Sequence, residues 1–125
     1  MLFDTDVLIW VLRGNNKAAD AVDRSTDRSI SVVSYMELVQ GARDKRELRL
    51  IKAYLADMGF ALLPLTENIG HRASIYMEEY GLSMSMSMAD ALIAATAMEE
   101  SMPLMTGNQK HYRCISELKL QTFRP

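Results

Sequence analysis

Four times along this chain a short apolar run gives way to a polar or acidic residue and then to helical or turn-forming spacing. Leu2-Phe3-Asp4 is followed by Val7–Leu12, and Ser29–Val33 by Tyr35–Gly41. Phe60–Leu63 leads through Pro64-Leu65-Thr66 to Glu67–Tyr80, and Ser101–Thr106 to a turn or short helix at Gly107–Tyr112. Strands that alternate with helices must run back along the same direction, so the repeated unit predicts right-handed crossovers and a parallel sheet. The expected fold class is α/β: helices on both faces of a mostly parallel central sheet of about five strands. Leu118–Phe123, alternating Leu118, Leu120 and Thr122 against Lys119, Gln121 and Phe123, is the expected final edge strand. At 125 residues the chain has the length of one domain, 1–125, with no linker or internal repeat.

The boundaries are read from caps and stops. Asp6 is the expected N-cap of the first helix, which ends at Arg13-Gly14-Asn15. Lys17–Ser25 is a surface helix burying Ala18, Ala21 and Val22. Ser34-x-x-Glu37 fits a capping box, and Ser87-x-x-Asp90 is a second such signal after the Met/Ser-alternating loop 82–88. From Ala42 to Ala56 a helix presents Leu48, Ile51, Lys52 and Leu55 on one face. Its basic residues Arg43, Lys45, Arg46 and Arg49 form either a solvated face or a surface for phosphates or a partner. Gly81 ends the helix that begins near Glu67, and the helix Ala89–Met98 is apolar nearly all round, so it should pack centrally.

Ligands of such sheets bind beyond the carboxyl ends of the strands. Asp4, Glu37 and Asn108 fall at or just past predicted strand ends, and Asp90 falls in a helix first turn that can face the same edge. Each has a local explanation as a cap or turn residue, but four coincidences at one edge are less probable than any one. Asp4 in particular lies within an apolar run, where a carboxylate costs several kcal/mol unless something compensates it. If Asp4, Glu37 and Asp90 converge, their repulsion calls for a cation. Oxygen-only ligands select Mg²⁺ or Mn²⁺, the ions of phosphoryl transfer and phosphodiester hydrolysis. By the same hardness argument His71 and His111 are structural or substrate-contacting residues rather than ligands.

Bulk properties narrow the alternatives. The single cysteine, Cys114, excludes an intramolecular disulfide and a cysteine-based zinc cage, and points to a reducing, cytoplasmic compartment. No apolar run reaches membrane-spanning length, and the N-terminal stretch is acidic where a secretory signal is basic. The formal net charge of -2 supplies no global attraction to nucleic acid, so any such binding rests on a local basic patch or a bridging metal ion.

Leu2-Phe3-Asp4-Thr5-Asp6-Val7-Leu8-Ile9, Ser31–Gly41, Asp90–Ala97 and Met105–Tyr112 together resemble the PIN-domain ribonucleases, and within them the VapC-like toxins of bacterial toxin–antitoxin pairs. The resemblance covers nearly the whole chain. It implies a PIN-like three-layer α/β/α domain, Asp4, Glu37 and Asp90 as metal-binding acids, Asn108 at a fourth station and Thr106 as a supporting hydroxyl. It also implies a homodimer, a cognate antitoxin that occludes the site, and endonucleolytic cleavage of a structured RNA. Asn108 stands where the family often has aspartate; Asp6, where asparagine or serine is common, either restores that charge or stays a helix cap. Two rivals remain. Asp4-Thr5-Asp6 also resembles the opening motif of haloacid-dehalogenase-like phosphatases, with Asp4 as nucleophile, but their later lysine and paired acids are missing. The other is a catalytically silent protein-binding module whose acids are caps.

Overall fold

The computed structural model describes residues 1–125. Five strands form one sheet, all parallel, in the order β3-β2-β1-β4-β5: β1 Leu2–Phe3, β2 Ser29–Ser31, β3 Ala61–Leu63, β4 Leu104–Thr106 and β5 Leu120–Thr122. The expected α/β class and the edge position of the last strand are both present. Six helices surround the sheet: α1 Thr5–Leu12, α2 Asn16–Arg24, α3 Val32–Gly41, α4 Lys45–Asp57, α5 Glu67–Tyr80 and α6 Met88–Glu99. A single 3₁₀ turn follows β4 at Gln109–His111.

The two-residue period of the strands divides the interior into two cores. Leu2 and Leu104 point to one side and pack with Ile69 and Ala73 of α5 and Ala91, Ala94 and Ala95 of α6. Phe3, Ile30 and Met105 point to the other and pack with Val7 and Leu8 of α1, Ala18 and Val22 of α2, Leu38 of α3, and Ile51 and Leu55 of α4. The expected central helix is α6, whose small residues let it lie close to α5. On α4, Ile51 and Leu55 are buried as the pattern predicts, whereas Lys52 is exposed.

Three boundary readings are corrected, each by a polar side chain that found a different partner. Helix α1 begins at Thr5, and its N-cap is Asp4, which accepts from the Thr5 amide at 2.8 Å; Asp6 lies inside the first turn. The second strand stops at Ser31, so Val32 and Val33 are helical and Ser31, not Ser34, caps α3 by accepting from Val33 N at 3.1 Å. Glu37 therefore forms no capping box. The helix predicted over Ala42–Ala56 begins at Lys45, because Asp44 caps it through the Glu47 amide at 2.8 Å. By contrast Ser87 caps α6 as expected, accepting from Asp90 N at 3.1 Å. That leaves the Asp90 carboxylate free for other work.

Candidate active site

Strand β1 lies between β2 and β4, so the residues just beyond the carboxyl ends of three neighbouring strands meet around Asp4. Asp4 is 6% exposed. One carboxylate oxygen accepts from Thr5 N and the other from the Thr106 hydroxyl at 2.8 Å. Thr106 in turn accepts from Asn108 N at 2.9 Å, which pins the chain after β4 to the same carboxylate. Burial, and then the charge of Asp6, push the Asp4 carboxyl up from its ordinary 3.8 to about 7; the donors oppose that push without cancelling it.

Asp6 Oδ2 accepts from Gly107 N at 2.8 Å, while its Oδ1 is buried without a hydrogen-bond partner. Burial raises the Asp6 pKa, and the Gly107 amide pulls it back. The approach is close enough that a Cβ on residue 107 would sit 2.6 Å from Asp6 Oδ2 and 3.3 Å from the Phe123 carbonyl, so any larger residue there would have to displace the Asp6 carboxylate. Asp6 thus ties α1 to the turn after β4.

Glu37 and Asp90 reach this edge through hydroxyls. Thr5 Oγ1 lies 2.7 Å from Glu37 Oε1 and 2.9 Å from Ser34 Oγ. Glu37 can only accept, so the single Thr5 proton goes to the carboxylate and Ser34 supplies the second bond. Across the site, the Tyr112 hydroxyl donates to Asp90 Oδ1 at 3.1 Å, and His111 Nδ1 stands 3.4 Å from Asp90 Oδ2. Burial and the charges of Asp4 and Asp90 drive the Tyr112 pKa strongly upward, so the phenol stays protonated.

Each of the three acids is thereby held by one hydroxyl: Asp4 by Thr106, Glu37 by Thr5 and Asp90 by Tyr112. No ion pair in the protein involves Asp4, Asp6 or Glu37. As the side chains stand, no three of the His, Cys, Asp and Glu groups lie close enough together to share one ion. Asn108 caps the 3₁₀ turn through its backbone only, and its side chain makes no cap hydrogen bond. His71 lies in the middle of α5 and joins none of these contacts.

Thr5, Ser34 and Tyr112 escaped the sequence reading because a threonine inside an acidic pair, a serine taken for a cap and a tyrosine in a core position have ordinary explanations. For Tyr112 a signal existed. A phenol fully buried at the end of a motif that carries a polar station needs a partner for its hydroxyl.

Beside Glu37 a groove of about 600 Å³ opens between α1, α3 and α4. Its walls are Ile9, Leu12, Leu38 and Ile51, with Arg13 and Arg43 at its borders. The exposed cations Lys45, Arg46 and Arg49 continue along α4.

The profile of the family described as PIN domain matches residues 1–114. The chain belongs to the PIN domain family. It is 37% identical over 125 residues to a protein named Ribonuclease VapC10 from Mycobacterium tuberculosis, with 95% of this chain and 90% of that one covered. A solved structure described as a toxin-antitoxin complex from Klebsiella pneumoniae contains a chain 29% identical, with a TM-score of 0.78 and 91% of each chain covered. A chain of the DNA-bound VapBC structure from Salmonella typhimurium has a TM-score of 0.84 at 16% identity, covering 97% of this chain and 96% of that one. This last likeness is one of PIN fold alone. Membership in this family removes the haloacid-dehalogenase-like phosphatase reading, whose fold would need a different completion of the site.

Proposed function

We propose that this PIN domain, acting as one unit over residues 1–125, is a metal-dependent endoribonuclease toxin that cuts phosphodiester bonds of a structured RNA. The observation that carries this reading is the buried carboxylate of Asp4, set against Asp6 at the carboxyl edge of the sheet with only neutral donors around it. Such an arrangement is costly for folding alone and well suited to a cation. The donors are carboxylate, amide and hydroxyl oxygens, which suit Mg²⁺ or Mn²⁺. Such ions keep several waters and need few direct carboxylates, and Asp6 Oδ1, buried without a hydrogen-bond partner, is an oxygen such a cation could satisfy.

In this reading Asp4, Glu37 and Asp90 hold the ion, Asn108 serves as the fourth station, and Asp6 and Thr106 support them. A bound ion supplies charge for the phosphodiester oxygens and lowers the pKa of a water nucleophile. The protein's own part is orientation: Thr106, Thr5 and Tyr112 each fix one carboxylate, and Asp6 holds the Gly107–Asn108 turn beside them. The likeness to Ribonuclease VapC10 supports RNA as the substrate, and the likeness to a chain of the Klebsiella pneumoniae toxin-antitoxin complex supports a cognate antitoxin.

The protein acts in the cytoplasm as a homodimer. No helix is long and apolar enough to cross a membrane. Met36 on α3, Leu62 on the β3 edge and Leu65 beyond it are exposed apolar side chains, as a surface between two copies would need.

The deciding experiment sequences the new RNA 5′ ends that appear when the protein is induced without antitoxin, beside folded Asp4→Ala and Asp90→Ala variants. Discrete ends in the wild type, absent in both variants and accompanied by relief of growth inhibition, are expected. Variants that fold and still cut would overturn the assignment. Loss of both cutting and Mn²⁺ binding in the wild type would instead favour a silent binding module.

A further inference from the structure

Tyr112 stands out among the buried polar groups because its ring belongs to one region and its hydroxyl to another. The ring is fully buried in the core formed by α5 and α6, with Ile69, Ala91, Ala94, Ile115 and Leu118. Its backbone closes the 3₁₀ turn, donating to the Gln109 carbonyl at 3.0 Å and accepting from Ile115 N at 3.0 Å. Packing and backbone would be satisfied equally by phenylalanine. Only the hydroxyl needs explaining, since a buried O–H costs stability unless it is bonded.

That hydroxyl ends at a carboxylate. It donates to Asp90 Oδ1 at 3.1 Å, and the charge of Asp4 acts on it together with that of Asp90. Asp4 follows β1 and Asp90 opens α6, so the two acids arrive from elements 86 positions apart with no hydrogen bond between them. The phenol, carried on a rigid, fully packed ring, is bonded to Asp90 and lies in the field of Asp4. His111, the preceding residue, approaches Asp90 from the other side through Oδ2, leaving Oδ1 to Tyr112.

Resting on the metal-site reading above, we propose that Tyr112 is a positioning residue for the metal site: its hydroxyl fixes the Asp90 carboxylate at Oδ1 so that the remaining lone pairs of Asp90 are available to the ion. A hydroxyl behind a ligating carboxylate fixes its rotamer and leaves lone pairs for the metal, and loss of such a partner weakens metal affinity about tenfold or more. The ring alone does none of this.

The test measures Mn²⁺ binding by calorimetry on the wild type, Tyr112→Phe and Asp4→Asn proteins, each shown to fold by circular dichroism and thermal melting. The expected result is Mn²⁺ binding by the wild type, none by Asp4→Asn, and binding weakened about tenfold by Tyr112→Phe. A Tyr112→Phe protein that binds Mn²⁺ like the wild type, while Asp4→Asn does not bind, overturns the role of Tyr112 and leaves the metal site standing. Equal binding by all three, or none by the wild type, overturns both. A second measurement needs no variant: Mn²⁺ should broaden the Tyr112 ring resonances of the wild type before those of Tyr54 on α4, and equal broadening of the two rings would contradict a metal held beside Tyr112.

Discussion

A carboxylate whose folded pKa is raised works against folding at neutral pH, and Asp4 is the residue that pays most. With an ordinary value of 3.8 and a folded value of about 7, its contribution to stability is fully present below about pH 4 and lost as the pH rises through 7. The loss is of order 4 kcal/mol by linkage, a large share of the stability of a domain this size. Asp4→Asn keeps a cap for Thr5 N and removes the charge. The metal-free variant is therefore expected to melt well above the wild type at pH 8 and close to it at pH 4.5, measured in EDTA. Equal melting temperatures at pH 8 would show that the ionised carboxylate is not costly. Mn²⁺ should raise the melting temperature of the wild type alone, because binding to the folded state stabilises by mass action. The same residue shows how sequence reasoning divides: its buried position in an apolar run was readable, but its role as the cap of α1 was not. Both Asp4 and Asp6 suit a helix start, and only the neighbouring Gly107 amide decides which of them is drawn away.

Elements are placed by contacts that sequence spacing does not reveal, and Arg28 is the clearest. Its guanidinium donates to the carbonyls of Val22 at 2.8 Å, Asp23 at 3.1 Å and Met58 at 2.8 Å. These belong to the ends of α2 and α4, where unpaired carbonyls and the helix dipole favour a cation. One side chain thus clamps two helices beside the start of β2. Arg28→Ala is expected to lower stability by roughly 2 kcal/mol, since hydrogen bonds to a charged donor are worth more than neutral ones. Chemical denaturation would measure it, and Mn²⁺ affinity should be unchanged because the clamp lies at the end of β2 away from Asp4. A variant as stable as the wild type would show that water satisfies these carbonyls equally well. Apolar periodicity found every helix, but the starts of α3 and α4 shifted because Ser31 and Asp44 were better placed to cap than the residues chosen from pattern. Several side chains in each segment are competent caps, and strand length decides among them.

At the scale of the whole molecule, the all-parallel sheet leaves β3 as an open edge, and Leu62 on it is 49% exposed. If two copies meet there, Leu62→Glu should convert a dimer to a monomer in sedimentation velocity while the melting curve of the monomer is retained; a variant that remains dimeric would place the interface elsewhere. The α/β class, the five strands and the parallel direction were all legible in the sequence, because alternation of strand and helix is a local pattern and covalent connectivity then dictates the crossovers. Asp4, Asp90 and the turn at Asn108 were legible as candidates for the same reason, each following a strand or opening a helix, whereas Glu37, expected just past a strand end, lies in the second turn of α3 because β2 stops at Ser31. Their partners were not. Thr5 with Glu37, Asp6 with Gly107 and Tyr112 with Asp90 are pairs drawn from distant segments, and they meet only because the order β3-β2-β1-β4-β5 sets β1 between β2 and β4. By itself the sequence determined which segments become strands and which become helices, and in what order, since that depends on neighbours in the chain. Tertiary structure alone decided which hydroxyl or amide each carboxylate receives, since a hydrogen bond depends on position in space to within a few tenths of an ångström.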